Sequence, residues 1–142
     1  MPVDFSKRSR ELLRFAVQFA RQHRSQLILL HVREPLRALT GGWSTGYAVM
    51  PPVIVSETKS SATAEMESLM KTEIPRGIPA DTRVRVGQPY VEITKAARTL
   101  RVDLIIISTH GYTGWSHLLL DSTAEHLLRH ATCPVLVIRN PR

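Results

Sequence analysis

The chain predicts an α/β fold: an open, parallel β-sheet with helices on both faces. Short apolar runs alternate with stretches of helical periodicity, which is the pattern of strand–helix–strand crossovers. The two best runs, 27–30 (LILL) and 104–107 (LIII), contain no polar residue, as expected of strands covered on both faces. With 142 residues the chain is also too short for two independent cores, so residues 1–142 are read as one domain.

Residues 1–4 are the only candidates for a first strand, and Pro2 brings no amide donor. A strand usually has five or six residues. Either this one is a stub, or the natural start lies upstream. The first helix is the clearest local signal, because Leu12, Leu13, Ala16, Val17 and Ala20 fall within about 140° of arc. Ser6 or Ser9 is positioned to cap it. The apolar run 27–32 is the second strand. Residues 33–53 then lose all periodicity, with Gly41, Gly42, Gly46, Pro51 and Pro52 around Trp43 and Tyr47, and are read as a flexible flap.

Ala62, Met66, Leu69 and Met70 recur at helical spacing and predict a helix over 54–73, stopped by Pro75. Residues 82–86 alternate like a half-covered edge strand. Gly87-Gln88-Pro89 turns the chain into a helix over 90–100. The strand 102–108 is the most apolar, and the loop 109–116 follows it. A helix over 122–130 leads through Cys133-Pro134 to a last strand at 135–139.

Composition narrows the function classes. Hydrophobic residues make up 43% and charged residues 22%, which excludes a disordered or collagen-like chain. The longest apolar runs have four residues, against the roughly 20 of a membrane span, so no membrane partner is expected. Cys133 is the single cysteine, and no basic, apolar and small-residue leader opens the chain, so a reducing, cytoplasmic location is expected. The net charge of +7 attracts polyanions. Lys7, Arg10, Arg14 and Arg21 share an arc of roughly 60° on the first helix, which reads first as a solvated outer face. Nucleic acid is the less favoured partner.

In open α/β sheets ligands bind beyond the carboxyl ends of strands. The turn after the first strand, Asp4-Phe5-Ser6-Lys7, has no glycine, and no Gly-Lys-Ser/Thr occurs anywhere, so the dinucleotide fingerprint at that turn and the P-loop are both absent. The turn after the fourth strand, from Ser108 through Gly111, Thr113 and Gly114 to Ser116, is rich in hydroxyls and glycine. The next helix opens at Asp121-Ser122-Thr123. Backbone amides in such a loop can cradle phosphate oxygens. Ser122-Thr123-Ala124-Glu125 also has capping-box spacing, so Ser122 has a plain structural use. His126 and His130 stand four apart but lack a third ligand at metal-binding spacing, and no metal is expected. No nucleophile or carboxylate partner can be assigned to His110 from sequence, so no catalytic residue is named and His110 is read as bracing its loop. Cys133 reads as a small core residue.

These features resemble the universal stress protein family. The likeness runs from Pro2-Val3-Asp4-Phe5-Ser6 through Leu29-Leu30-His31-Val32, Gly87 and Pro89, and is strongest over 103–111 (DLIIISTHG) and 129–139 (RHATCPVLVIR). The resemblance implies an adenine nucleotide alpha-hydrolase-like sheet with strand order 3-2-1-4-5. It also implies a non-enzymatic stress-response module that binds ATP, AMP or another adenine nucleotide. Asp4 and Val32 would contact adenine and ribose, and Ile107 would line the base pocket. The family's phosphate motif falls on Ser108, Gly111, Asp121 and Ser122, with Gly114 and Thr123 nearby. Ser108 and Asp121 stand where the motif has glycine, which weakens the expected hold on a triphosphate. The resemblance further implies a homodimer through strand 135–139 and an unidentified regulated protein. The alternatives are an ATP-hydrolysing enzyme of the related superfamily and an accessory nucleic-acid binder.

Overall fold

The computed structural model describes residues 1–34, 52–108 and 123–139. Helix α1 (Lys7–His23) starts where Ser6, in an extended conformation, accepts the Ser9 amide on its hydroxyl. Of the two candidate caps Ser6 is therefore the one used, and Ser9 is buried instead. Arg24 closes the helix in a left-handed conformation, its amide returning to the Ala20 and Arg21 carbonyls. The five apolar positions read from the periodicity are all buried.

Strand β1 (Leu27–Arg33) follows, then α2 (Pro52–Glu73) and β2 (Ala80–Val86). Helix α3 (Pro89–Thr99), β3 (Ile105–Ser108), α4 (Thr123–His130) and β4 (Val135–Ile138) complete the order. The expected flap at 33–53 is narrowed at both ends, since Arg33 belongs to β1 and Pro52 to α2. Residues 35–51 lie outside the described residues. The expected strand 102–108 starts only at Ile105. Arg101, at φ 50°, ends the preceding helix, and the Val102 amide is drawn back to the Ala97 carbonyl. The last strand likewise stops at Ile138, one residue short of expectation.

All pairings are parallel. Leu27 pairs with Ala80 and Arg33 with Val86, and Ile105 pairs with Val135 and Ser108 with Ile138. Among the described residues the strands pair as two two-stranded sheets, and the amino-terminal stub pairs with β1 through a Pro2–Leu30 bridge. The reason lies in the backbone. Met1 and Val3 turn their polar groups to β1, with Leu30 donating to the Met1 carbonyl and Val3 donating to the Leu30 carbonyl. Backbone groups alternate in direction along a strand, so Pro2 and Asp4 turn theirs away from β1. Proline has no N–H to offer, and the Asp4 amide goes to the Ser9 hydroxyl.

Two buried clusters cover the two faces. Leu12, Leu13, Ala16 and Val17 of α1 join Met66 and Leu69 of α2 over Leu27, Leu29 and Ile106. Ile93, Ala96 and Ala97 of α3 join Ala124 and Leu127 of α4 over Leu30, Ile105 and Ile107. The alternation of Leu29 with Leu30, and of Ile106 with Ile105 and Ile107, sends neighbouring side chains into opposite layers. Apolar runs without polar interruption are thereby explained.

Candidate functional site

The stub runs parallel to β1, and Val32 and Ile107 pack in one buried cluster. The stub ends at Asp4, β1 runs out past Val32, and β3 ends at Ile107 and Ser108. Asp4 is half-buried, and its Oδ1 accepts both the Ser6 amide at 3.1 Å and the Ser6 hydroxyl at 2.7 Å. The turn is thus drawn tight by its own side chains, as Asp commonly does two residues ahead. Phe5 sits at φ 61°, a left-handed conformation that costs a non-glycine residue roughly 1–2 kcal/mol. Its ring lies 4.5 Å from that of His31. Nδ1 of His31 is 2.7 Å from the Val3 carbonyl, which can only accept, so the hydrogen sits on Nδ1. His31 therefore ties the stub to β1 by side chain as well as backbone.

Val32 faces the opposite layer and packs on the cluster around Leu30 and Ile93. Ile107 is 8% exposed in the same cluster. Thr123 is the first residue of α4 and half-buried. Asp4, Val32, Ile107, Ser108 and Thr123 are thus described, whereas Gly111, Gly114, Asp121 and Ser122 lie outside the described residues, as does His110. Sequence reasoning passed over Phe5 and His31 as parts of the site's frame. No sequence signal marks a phenylalanine for positive φ. His31, a polar residue interrupting an apolar run, was the available clue.

Elsewhere, His126 is stacked on Tyr90 at 4.3 Å, with His130 a further 6.3 Å on. Among the described residues no three His, Cys, Asp or Glu side chains gather as a metal site would need. Cys133 is half-buried, and burial pushes its thiol pKa up. On α1 the basic stripe is partly answered: Lys7 faces Glu11 at 4.0 Å, while Arg10 and Arg14 reach Glu73 at 3.9 and 3.7 Å. Among the described residues no helix is long and apolar enough to cross a membrane.

The universal stress protein family model matches residues 1–139. The chain belongs to the universal stress protein family. The protein YxiE of Bacillus subtilis is 29% identical, over 96% of this chain and 95% of its own length. The protein MJ0531 of Methanocaldococcus jannaschii is 29% identical, over 100% and 81%. Among solved structures, MJ0577 superposes with a TM-score of 0.80 at 28% identity, over 99% of this chain and 94% of that one. UspA of Lactobacillus plantarum superposes at 0.68 with 24% identity, covering 97% and 94%, a likeness of fold. The parallel strands and two helical layers are thus those of the family.

Proposed function

We propose that this family member is a cytoplasmic, non-enzymatic module that binds an adenine nucleotide at the converging strand ends. The base and ribose lie against Asp4, Val32 and Ile107. The phosphates reach toward Ser108, Gly111, Gly114, Asp121, Ser122 and Thr123. What supports this reading is that the parallel stub and β1 end at Asp4 and just past Val32, and that Val32 and Ile107 share a buried cluster, at the carboxyl ends of strands where such folds take ligands. Universal stress proteins of this fold have been crystallised with cAMP, at 17% identity, and with dAMP, at 22%, likenesses that extend to the fold only. Binding is favoured over catalysis because the Asp4 carboxylate already holds the Ser6 amide and hydroxyl, which commits it to shape. The ion pairs of Arg10 and Arg14 with Glu73 favour a solvated face on α1 over a nucleic-acid surface.

The five strands follow the order 3-2-1-4-5 in this reading, with β2, β1 and the stub on one side of the site and β3 and β4 on the other. The protein acts as a homodimer through strand 135–139 and conveys nucleotide occupancy to a regulated protein. Val135 and Val137 pack on one cluster and Leu136 and Ile138 on the other, so what is offered for pairing is the backbone edge rather than an apolar face. Val137→Pro removes an outward N–H from that edge and should yield monomer by light scattering.

The test of the nucleotide is mass spectrometry of whatever is released from protein purified without added nucleotide, followed by calorimetry with ATP, ADP, AMP and cAMP. An adenine nucleotide released in proportion to protein, or heat of binding in the micromolar range, is expected. No released nucleotide and no heat at millimolar concentration would refute the reading. Phosphate release from ATP at turnover rates would favour the enzymatic alternative.

A further inference from the structure

Strand β2 pairs with β1 on one side, and among the described residues no strand pairs with its other side. The ladder fixes which of its backbone groups face outward. The Leu27 amide donates to the Pro79 carbonyl at one end, and the Gly87 amide donates to the Arg33 carbonyl at the other. Direction alternates along the strand, so residues 81, 83 and 85 turn to β1 while Ala80, Thr82, Val84 and Val86 turn their N–H and C=O groups to the open edge. An edge of this kind is a template for another strand. Its side chains do little to spoil it, since Thr82, Val84 and Val86 are β-branched and Val86 is 44% exposed.

We infer that Asp81 and Arg83 form a side-chain bracket over Thr82 that closes this edge to β2 of a second copy of the chain. The two residues stand on the same face of the strand, because side chains alternate. Their contact is a fork: Nη1 of Arg83 donates to Oδ1 of Asp81 at 2.6 Å, and Nη2 lies 2.6 Å from Oδ2. The same fork holds the backbone between them. Oδ1 of Asp81 also accepts the Thr82 amide at 2.7 Å, and Nη1 of Arg83 also donates to the Thr82 carbonyl at 2.9 Å. Both groups that Thr82 offers outward are therefore taken. The pair itself is open to solvent, and an exposed ion pair adds little to stability, so its consequence lies in what it covers. A second copy is the strand turned away, because an edge meets its own copy antiparallel about a two-fold axis. With the axis at residue 83, Thr82 pairs with position 84 of the copy and Ala80 with position 86, and any pairing along the whole edge includes Thr82. With Thr82 withdrawn, Ala80 is cut off from Val84 and Val86, and the stretch that remains is shorter than the five or six residues of an ordinary strand. The bracket acts on β2 whether or not strand 135–139 pairs.

The experiment compares the full chain with its Asp81→Ser, Arg83→Thr double variant by sedimentation velocity at tens of micromolar. The double variant should sediment as a particle of about twice the mass of the unmodified protein's, since a two-fold pairing joins copies two at a time. An unchanged mass would overturn the inference. Adding Thr82→Pro to the double variant removes the outward N–H and should return the mass to that of the unmodified protein. A mass that stays doubled would also overturn it, because the association would then run through some other surface. The bracket itself is read by residue-resolved hydrogen exchange on dilute protein, with the Leu27 amide, bonded to Pro79, as the control for an intact sheet. Asp81→Ser alone should speed exchange at the Thr82 amide by about tenfold or more while Leu27 keeps its rate. Equal exchange at Thr82 in the two proteins would show that no bracket holds it, and would overturn the inference.

Discussion

In the chain that begins at Met1, lowering the pH from 8 to 5 should destabilise the fold through the Met1 amine, and acetylating that amine should remove the effect. The Met1 ammonium is buried beside Ile28, and burial lowers its pKa from 8.0 to about 5. Burial disfavours the charged form, because the charge has left water for an apolar surrounding. Between pH 8 and pH 5 the unfolded chain carries a proton there that the folded chain does not. Stability therefore falls as the pH is lowered through this window, and the loss is complete below about 5. A difference of about three units corresponds to about 4 kcal/mol, a large part of the 5–15 kcal/mol typical of a domain. Urea unfolding of the free and the N-acetylated chains at pH 5, 6, 7 and 8 isolates the amine, since every histidine is common to both. With a slope of about 2 kcal/mol per molar urea, the gap between the two midpoints should widen by about 2 M from pH 8 to pH 5. Parallel curves would show that water reaching Met1 keeps the amine solvated, and would refute the reasoning.

Asp121→Gly should tighten ATP binding by one to two orders of magnitude in calorimetry. Like charges about 4 Å apart repel by roughly 1 kcal/mol in water and about 4 near a protein surface, and each 1.4 kcal/mol is tenfold. Unchanged affinity would mean that Asp121 does not face phosphate. Leu13 is fully buried in the α1 cluster, so Leu13→Ala should cost about 2–5 kcal/mol in urea unfolding, whereas Gln18→Ala on the exposed face should cost under about 0.5. The Glu92 carboxyl is held below its usual pKa by the hydrogen bond from Lys95 and by Arg85. Its contribution is present above pH 4.5 and is lost as the pH falls through the lowered value, so Glu92→Gln should flatten the acid side of the stability curve, read by thermal unfolding between pH 2 and 6.

Much of the fold could be read along the chain because helices and buried strands write local periodicity. The arc of Leu12, Leu13, Ala16, Val17 and Ala20 is the buried face of α1, and the unbroken apolar run at 27–30 is a strand with a layer on either side. Of the candidate site, Asp4, Val32 and Ile107 were legible as strand-end positions through the family's motifs. The positive φ of Phe5 and the hydrogen bond from His31 to Val3 were not, since each depends on a partner 26 to 28 positions away.

What only the tertiary structure decided is where backbone groups point once strands are side by side. The shortness of residues 1–4 was visible in the sequence; that Met1 and Val3 would turn their backbone groups to β1 and leave those of Pro2 facing the other way was not. Side-chain pattern reports which residues avoid water, a property each carries alone. Register, the continuity of a sheet and the space between strands belong to pairs of segments, and a donor missing from one shows its effect only against the acceptors of the other.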